Sequence, residues 1–209
     1  MSALSLEESI RNEDDFLFQY YTQMKASWRD VYPKVSSIPK GKRITPDIDL
    51  LEIQKYKQPP LIIGHELKLV RKTDPYGPFY GGLGQALGYF RHGVDQAYLV
   101  LGCFNMPSER MDEIQTTIKA VIDFFKQAGL NLLEYMLVPM YKGNLTFRLV
   151  LLTLDENSKF SVSSHKEAEH RRGCLLRGEF EWGKRWLRNQ EKRTAEALKR
   201  ESTQSSESP

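Results

Sequence analysis

The segment LIIGHELKLV, residues 61–70, carries the sequence pattern that decides the fold. Its first residues are apolar and β-branched, and the turn-forming sequence TDPYG follows at 73–77, which together predict a β-strand. Within this strand Glu66 and Lys68 are two positions apart. Because alternate side chains leave the same face of a strand, a carboxylate and an ammonium group are expected side by side.

A second strand is predicted just before it, in the segment ITPDIDLLEI at 44–53. Its β-branched and leucine residues surround two alternating aspartates, Asp47 and Asp49, which share one face of the strand. Residues 55–60 turn the chain, so the two strands are expected to form a hairpin. If the hairpin brings the two faces together, an aspartate, a glutamate and a lysine converge on one point.

Helices and strands alternate on both sides of this hairpin. The spacing of apolar residues predicts three helices, over 10–31, over 80–91 and from 108 onwards. Apolar and β-branched runs predict three further strands, at 96–104, 132–140 and 145–154. The segment VSSIPKGKR at 35–43 is typical of a turn. The resulting order, α-β-β-α-β-α-β-β, predicts an α/β fold with a mixed β-sheet flanked by helices.

The chain of 209 residues is long enough for one domain with a full core and an appendage. We expect a core domain over 1–160, a basic helical extension over 161–200 and a disordered tail over 201–209. Residues 1–164 hold 19 basic and 19 acidic side chains, whereas the remainder holds 11 and 8, so the net charge of +3 comes from the C-terminal part. A basic segment of this kind assists phosphate binding or forms a solvated helix.

Composition is typical of a water-soluble globular protein. The hydrophobic fraction of 40% and the charged fraction of 27% are ordinary for that class. No apolar run approaches the roughly 20 residues that cross a bilayer, and the acidic start MSALSLEESIRNEDD differs from a signal peptide. We therefore expect a cytoplasmic protein with no membrane partner. Cys103 and Cys174 are expected to be reduced thiols.

The residue types in the predicted hairpin suit phosphodiester hydrolysis. Carboxylate oxygens are the ligands that Mg²⁺ prefers, and the ion takes its remaining contacts from water and phosphate. Bound metal lowers the pKa of its water, while an adjacent ammonium group holds the attacking water or stabilises the transition state. An acid two positions before a lysine occurs by chance about once or twice in such a chain. Glu66-Leu67-Lys68 is the only match here, and it lies in an apolar strand behind two aspartates.

At these residues the chain resembles the PD-(D/E)xK nuclease superfamily. Its members place an aspartate on one strand and an E-x-K tripeptide on the next, as in TPDID at 45–49 and Glu66-Leu67-Lys68 here. The sequence QALGY at 85–89 is similar to the Q-x-x-x-Y element of RecB-type and phage exonuclease members. The resemblance covers residues 43–104 and implies a restriction-endonuclease-like core.

The resemblance implies a Mg²⁺-dependent deoxyribonuclease, in which Mn²⁺ is expected to substitute for Mg²⁺. Asp49 and Glu66 would hold the metal, Lys68 would assist the attacking water and Gln85 would position it. Asp47 is a second metal ligand or the replacement for Asp49. The choice stays open. The dipeptide that ends at Asp47 matches the letters P-D in the family name, whereas the sequence IDLL that contains Asp49 is similar to that of the Holliday-junction resolvases.

Contacts with nucleic acid are expected from the second predicted helix and the residues after it, at Tyr89, Arg91 and His92. The resemblance implies DNA as the partner, and RNA stays an alternative because it has the same type of bond. A homodimer is one way in which a small protein with a single site cuts two strands.

Several alternatives stay open at the level of sequence. Many superfamily members use an acid from the first helix, and four residues qualify for this role: Glu8, Glu13, Asp14 and Asp15. The glycine-rich GGLG at 81–84 lacks the G-K-[ST] of a P-loop, which argues against nucleotide hydrolysis. The cysteines and histidines lack the spacing of zinc ligands. A non-catalytic nucleic-acid-binding or assembly protein on the same fold is the alternative function.

Overall fold

The structure is a computed structural model of the chain. It describes residues 10, 12–27, 29–38, 42–70, 73, 76–103, 107–127, 132–142, 145–155 and 165–206. Glu8 and residues 207–209 of the expected tail lie outside these ranges. Within them, every helix is too short or too polar to cross a membrane.

The described residues form five α-helices and six strands. The helices are α1 (Glu13–Ala26), α2 (Gly77–Gly88), α3 (Ser108–Gln127), α4 (His165–Arg177) and α5 (Lys184–Ser206), and a 3-10 helix (Tyr89–His92) follows α2. The strands are β1 (Val31–Ile38), β2 (Lys42–Gln54), β3 (Leu61–Val70), β4 (Gln96–Cys103), β5 (Leu132–Lys142) and β6 (Leu145–Asp155).

The six strands form one mixed sheet in the order β1-β2-β3-β4-β6-β5. β2 and β3 are an antiparallel hairpin in which Leu50 lies opposite His65. β3 and β4 are parallel, and α2 makes the crossover between them. β5 and β6 form a second antiparallel hairpin, and β6 joins it to β4. The prediction of a mixed β-sheet flanked by helices is therefore confirmed.

Two separate hydrophobic cores lie on the two faces of the sheet. On one face Phe79 and Leu83 of α2 share a core with Leu99 of β4. On the other face Phe16 of α1 shares a core with Val100 of the same strand. Leu99 and Val100 belong to different cores because successive side chains of a strand point to opposite faces. The central strands are thus covered on both sides.

A buried polar network fixes α1 on the second face. The Nδ1 atom of His65 lies 3.1 Å from the Tyr20 hydroxyl of α1, and its Nε2 lies 3.2 Å from the Glu52 carboxylate of β2. A carboxylate only accepts, so Nε2 carries the proton of that bond. Burial favours the neutral acid, but contacts with His65, Gln54 and Arg29 offset it and lower the pKa of Glu52. The charged carboxylate is thereby retained in the interior.

The helix predicted over 10–31 is shorter in the structure, and a strand takes the place of its end. α1 begins after Asn12, whose side chain accepts from the Asp15 amide, and it ends at Ala26. β1 then pairs with β2 along the edge of the sheet, across a segment that was predicted to turn. Pro33 suits an edge strand, and pairing with β2 outweighs the local preference of this segment for a turn.

The C-terminal extension packs on the sheet domain. Arg172 of α4 donates to both oxygens of Asp95, at 2.7 and 2.9 Å, and to the carbonyl of Pro60. α5 continues to Ser206, through residues that the sequence predicted to be disordered. Serine and threonine disfavour a helix by less than about 1 kcal/mol each, and extending a helix costs less than starting one.

The glycine-rich part of α2 predicts that another element comes close, and the structure confirms this at Gly82. A Cβ at Gly82 would lie 2.5 Å from Cδ1 of Leu99 and 2.8 Å from Cγ of Lys68. Positions 81 and 84 face open space among the described residues, with no atom within 4 Å of an added Cβ. Of these three glycines, only Gly82 is therefore needed for packing.

We expect Gly82→Ala to lower the free energy of unfolding by about 1–3 kcal/mol, because the added methyl group overpacks a buried contact. Gly81→Ala and Gly84→Ala are matched controls on the same helix. They should leave stability unchanged or raise it by up to about 1 kcal/mol, since alanine favours a helix more than glycine does. Urea unfolding followed by circular dichroism measures all three variants. Equal stabilities of Gly82→Ala and Gly84→Ala would contradict the packing described at Gly82.

Candidate functional site

The β2–β3 hairpin brings the predicted acidic residues to one place. Oδ2 of Asp49 accepts a hydrogen bond from the backbone amide of Leu67, 3.0 Å away. Leu67 lies between Glu66 and Lys68 on β3, so this bond anchors the Asp49 carboxylate beside the E-x-K tripeptide. Asp49 keeps 17% of its side chain exposed and is reachable from solvent.

The Glu66 carboxylate is almost completely buried, with 2% of its side chain exposed. Its Oε1 lies 2.8 Å from Nζ of Lys68, and its Oε2 accepts from the Tyr89 hydroxyl. Burial and the charge of Asp49 raise the pKa of Glu66 to about 7, although Lys68 and Tyr89 act in the opposite direction. A buried carboxyl group that titrates near neutrality is a candidate for catalysis or cation binding.

The Tyr89 hydroxyl joins the two strands of the hairpin. It accepts from the Asp49 amide at 3.2 Å and faces two acceptors, the Asp47 carbonyl at 3.1 Å and the Glu66 carboxylate. The ring fits against β3 because Gly64 has no side chain; a Cβ there would lie 2.7 Å from a ring carbon. Burial, followed by the charges of Asp49 and Glu66, raises the pKa of Tyr89 well above its ordinary value. The hydroxyl therefore keeps its proton at neutral pH.

Lys68 connects β3 with the start of α1. Its Nζ lies 2.8 Å from Oε1 of Glu66 and 3.8 Å from Oε2 of Glu13. Burial disfavours the charged amine, yet the charges of Glu66, Glu13 and Asp49 raise the pKa of Lys68 above its ordinary value. The site therefore keeps an ammonium group beside its carboxylates.

Lys34 of β1 also reaches the site, and the sequence analysis missed it. Its Nζ lies 3.3 Å from Oδ1 of Asp49 and 3.3 Å from Oδ1 of Asp14. Two of the candidate acids of the first helix thus approach the site through lysines, Asp14 through Lys34 and Glu13 through Lys68. The signal that could have revealed Lys34 is the alternation of apolar residues over 31–35, which is typical of a strand.

A pocket of about 650 Å³ opens beside these residues. It is lined by Asn12, Glu13, Asp14, Lys34, Leu69, Thr73 and Pro78. Its volume lies in the range of ordinary small-molecule sites. The pocket therefore provides access from solvent to Glu13 and Asp14 at the start of α1 and to Lys34.

Gln85 lies on the same face of α2 as two residues that touch the site. It is half-buried, three positions after Gly82, which packs on Lys68, and four positions before Tyr89. Residues at such spacings share a helix face. Asp47 is also half-buried, and its carbonyl accepts from Tyr89. The predicted roles of Gln85 and Asp47 stay predictions.

Arg91 and His92 lie in the 3-10 helix, next to α4. Arg91 is exposed, and its carbonyl lies 3.4 Å from a guanidinium nitrogen of Arg171. His92 is buried, and its Nδ1 lies 2.6 Å from the same guanidinium nitrogen. The exposed Arg91 side chain suits a contact with nucleic acid better than the buried imidazole, and both predicted contacts stay predictions.

The donor chemistry of the site fits a hard divalent cation. Burial, followed by the charge of Asp49, raises the pKa of Glu66, and a cation between the two carboxylates would relieve their repulsion. Across the described residues, no cluster of three or more metal-ligating side chains is found. Mg²⁺ held by Asp49 and Glu66 would therefore complete its coordination with water and phosphate, as this ion usually does.

In comparisons with known proteins, no family model, curated protein or solved structure matches the chain. The resemblance to the PD-(D/E)xK superfamily therefore depends on the short motifs and on the geometry around them. Those features are the E-x-K strand, the aspartate strand before it and the helix that carries Gln85 and Tyr89.

The raised pKa of Glu66 predicts a pH-dependent stability for the protein in EDTA. The ordinary pKa is 4.5, whereas the folded protein holds the pKa of Glu66 at about 7. Between these values the folded protein keeps a proton that the unfolded chain has lost. Stability present below the lower value should therefore be lost as pH rises through the higher one, by roughly 3 kcal/mol. Urea unfolding from about pH 4 to about pH 8 measures the loss.

Glu66→Gln is the matched variant, because glutamine keeps the shape of the side chain and does not ionise. The stability of Glu66→Gln relative to wild type should rise across the same pH range by the amount that wild type loses through Glu66. Subtracting the two curves removes the contributions of other titrating groups. A difference that does not change with pH would show that Glu66 ionises as freely in the folded protein as in the unfolded chain.

Proposed function

We propose that this protein is a metal-dependent nuclease that hydrolyses phosphodiester bonds in DNA through Asp49, Glu66 and Lys68. The observation that carries the proposal is the way these residues are held. Glu66 is buried against Lys68, and Asp49 is bonded to the backbone amide between them. Buried carboxylates whose pKa values are shifted by neighbouring charges are concentrated at functional sites.

Each residue has a task in this reaction. Asp49 and Glu66 would hold a divalent cation, which would lower the pKa of its bound water and neutralise charge on the phosphate. Lys68 holds the attacking water or stabilises the charge that develops on the phosphate. Tyr89 fixes the orientation of the Glu66 carboxylate through its hydrogen bond. Gln85, on the same helix face, positions the water.

The sheet topology supports a restriction-endonuclease-like core. The antiparallel β2–β3 hairpin, followed by the α2 crossover to the parallel strand β4, carries the whole motif. The observed order differs from the expected one by a single added strand, β1, at the edge of the sheet. The part of the fold that holds the site therefore keeps the order that the resemblance implies.

A non-catalytic nucleic-acid-binding or assembly protein on the same fold is the second candidate. The observation that favours it is the pairing of charges, since Lys68 contacts Glu66 and Lys34 contacts Asp49. Pairs of this kind hold strands together without any chemistry. Metal binding with no cleavage of any nucleic acid would support this second candidate.

Cleavage of labelled single-stranded, double-stranded and branched DNA, and of RNA, with Mg²⁺ or Mn²⁺ tests the proposal. Glu66→Gln and Lys68→Ala should each reduce cleavage by about 100-fold or more, because each removes a group that acts on the metal or the water. Lys55→Ala is the control, since Lys55 is exposed and pairs with Asp30. Cleavage at the wild-type rate by both site variants would refute the catalytic assignment.

The same assay distinguishes the two aspartates of β2. Asp49→Asn should reduce cleavage far more than Asp47→Asn, because the Asp49 carboxylate is fixed beside Glu66 by the Leu67 amide. A rate near wild type for Asp49→Asn, with loss of cleavage in Asp47→Asn, would transfer the metal-ligand role to Asp47. Mn²⁺ affinities of the two variants, measured by calorimetry, check the assignment without relying on turnover.

A further inference from the structure

The backbone of Lys34 adopts a conformation that side chains rarely take. Its φ is +52°, and among the described residues it is the one with a positive φ that is not glycine. Residues with a Cβ avoid this region because the Cβ clashes with the neighbouring carbonyl oxygen. Strain of this kind is found at functional segments, where the surrounding structure holds it in place. In this case the side chain of the strained residue contacts Asp49, a candidate metal ligand.

The Lys34 ammonium group contacts the Asp49 carboxylate oxygen that the Leu67 amide does not bind. Oδ2 of Asp49 is bonded to the Leu67 amide, and Oδ1 lies 3.3 Å from Nζ of Lys34. A divalent cation that binds Asp49 therefore approaches the oxygen that Lys34 already contacts. An ammonium group and a divalent cation repel each other, so they do not share this oxygen at close range.

We infer that Lys34 is the counter-ion of the metal-free site and that a divalent cation replaces it at Asp49. This inference rests on the proposed metal site at Asp49 and Glu66. Asp14 makes the replacement feasible, because its half-exposed carboxylate contacts the same ammonium group at 3.3 Å and stays available as a partner. The pocket lined by Lys34 and Asp14 gives a cation its path from solvent.

The two lysines of the site differ in exposure. Lys68 keeps 15% of its side chain exposed and is held by the buried Glu66. Lys34 keeps 34% exposed and lines the pocket. Lys34 is therefore the lysine that leaves its carboxylate when a cation arrives, while Lys68 stays beside Glu66.

Calorimetric titration of the full chain with Mn²⁺ alone tests the replacement. Lys34→Gln should bind Mn²⁺ about tenfold more tightly than wild type, because a competing positive charge has been removed from Asp49. Lys55→Gln is the matched control, since it also removes one lysine from an ion pair with an aspartate. Its affinity should stay within about twofold of wild type, because Asp30 belongs to no part of the site.

Lys34→Gly is a second variant in case Lys34→Gln misfolds, because glycine adopts the positive φ without strain and also lacks the ammonium group. It should bind Mn²⁺ as tightly as Lys34→Gln does. Lys34→Arg keeps the charge and should bind no more tightly than wild type. Unchanged or weaker binding by both Lys34→Gln and Lys34→Gly would overturn the inference.

Comparing affinity with cleavage separates this inference from the proposed nuclease. Tighter Mn²⁺ binding by the Lys34 variants, without cleavage by any form of the protein, supports the replacement and counts against the nuclease. Cleavage by wild type, with equal Mn²⁺ affinities in all variants, overturns the replacement alone. No saturable Mn²⁺ binding by any variant overturns both.

Discussion

A carboxylate that is removed from water must find its partners inside the protein, and Glu66 finds two of them, Lys68 and Tyr89. The first comes from the same strand, whereas the second comes from the start of the 3-10 helix that follows the crossover helix. Tyr89 reaches Glu66 because Gly64 leaves room for its ring, and α2 lies close to the sheet because Gly82 leaves room for Lys68 and Leu99. Satisfying one buried acid therefore fixes the position of the helix that closes the site.

Consecutive residues of β3 serve the two faces of the sheet. His65 points to the face of α1 and holds Tyr20, whereas Glu66 points to the opposite face and holds Tyr89. The first bond anchors α1, and the first turn of α1 carries Glu13 to Lys68. β3 therefore orders the site in two ways. Glu66 takes part in it directly, and His65 holds α1, whose first turn reaches the site from the other face. A shift of its register by one residue would exchange the two roles and destroy both.

Period-two spacing explains why the hairpin and the meeting of Asp49 with Glu66 and Lys68 are readable from sequence. Alternation tells which residues share a face, and a short connection tells which strands pair. It does not tell which distant residue supplies a hydrogen bond, so the contact of the Tyr89 hydroxyl with Glu66 needed the structure. Lys34 was missed for a related reason: it lies between the predicted helix and the predicted turn, and the pairing of β1 with β2 at the sheet edge decides its position.

The cation proposed for the site would meet a group of carboxylates and not a single ion pair. Four carboxylates contact two ammonium groups: Glu13, Asp14, Asp49 and Glu66 against Lys34 and Lys68. The carboxylates of this group outnumber the ammonium groups that contact them. Water screens the two half-exposed acids of α1, but it does not screen the buried Glu66, which takes up a proton near neutral pH instead. A divalent cation bound at Asp49 and Glu66, as proposed, would favour the charged form of Glu66, whose pKa burial and the charge of Asp49 raise.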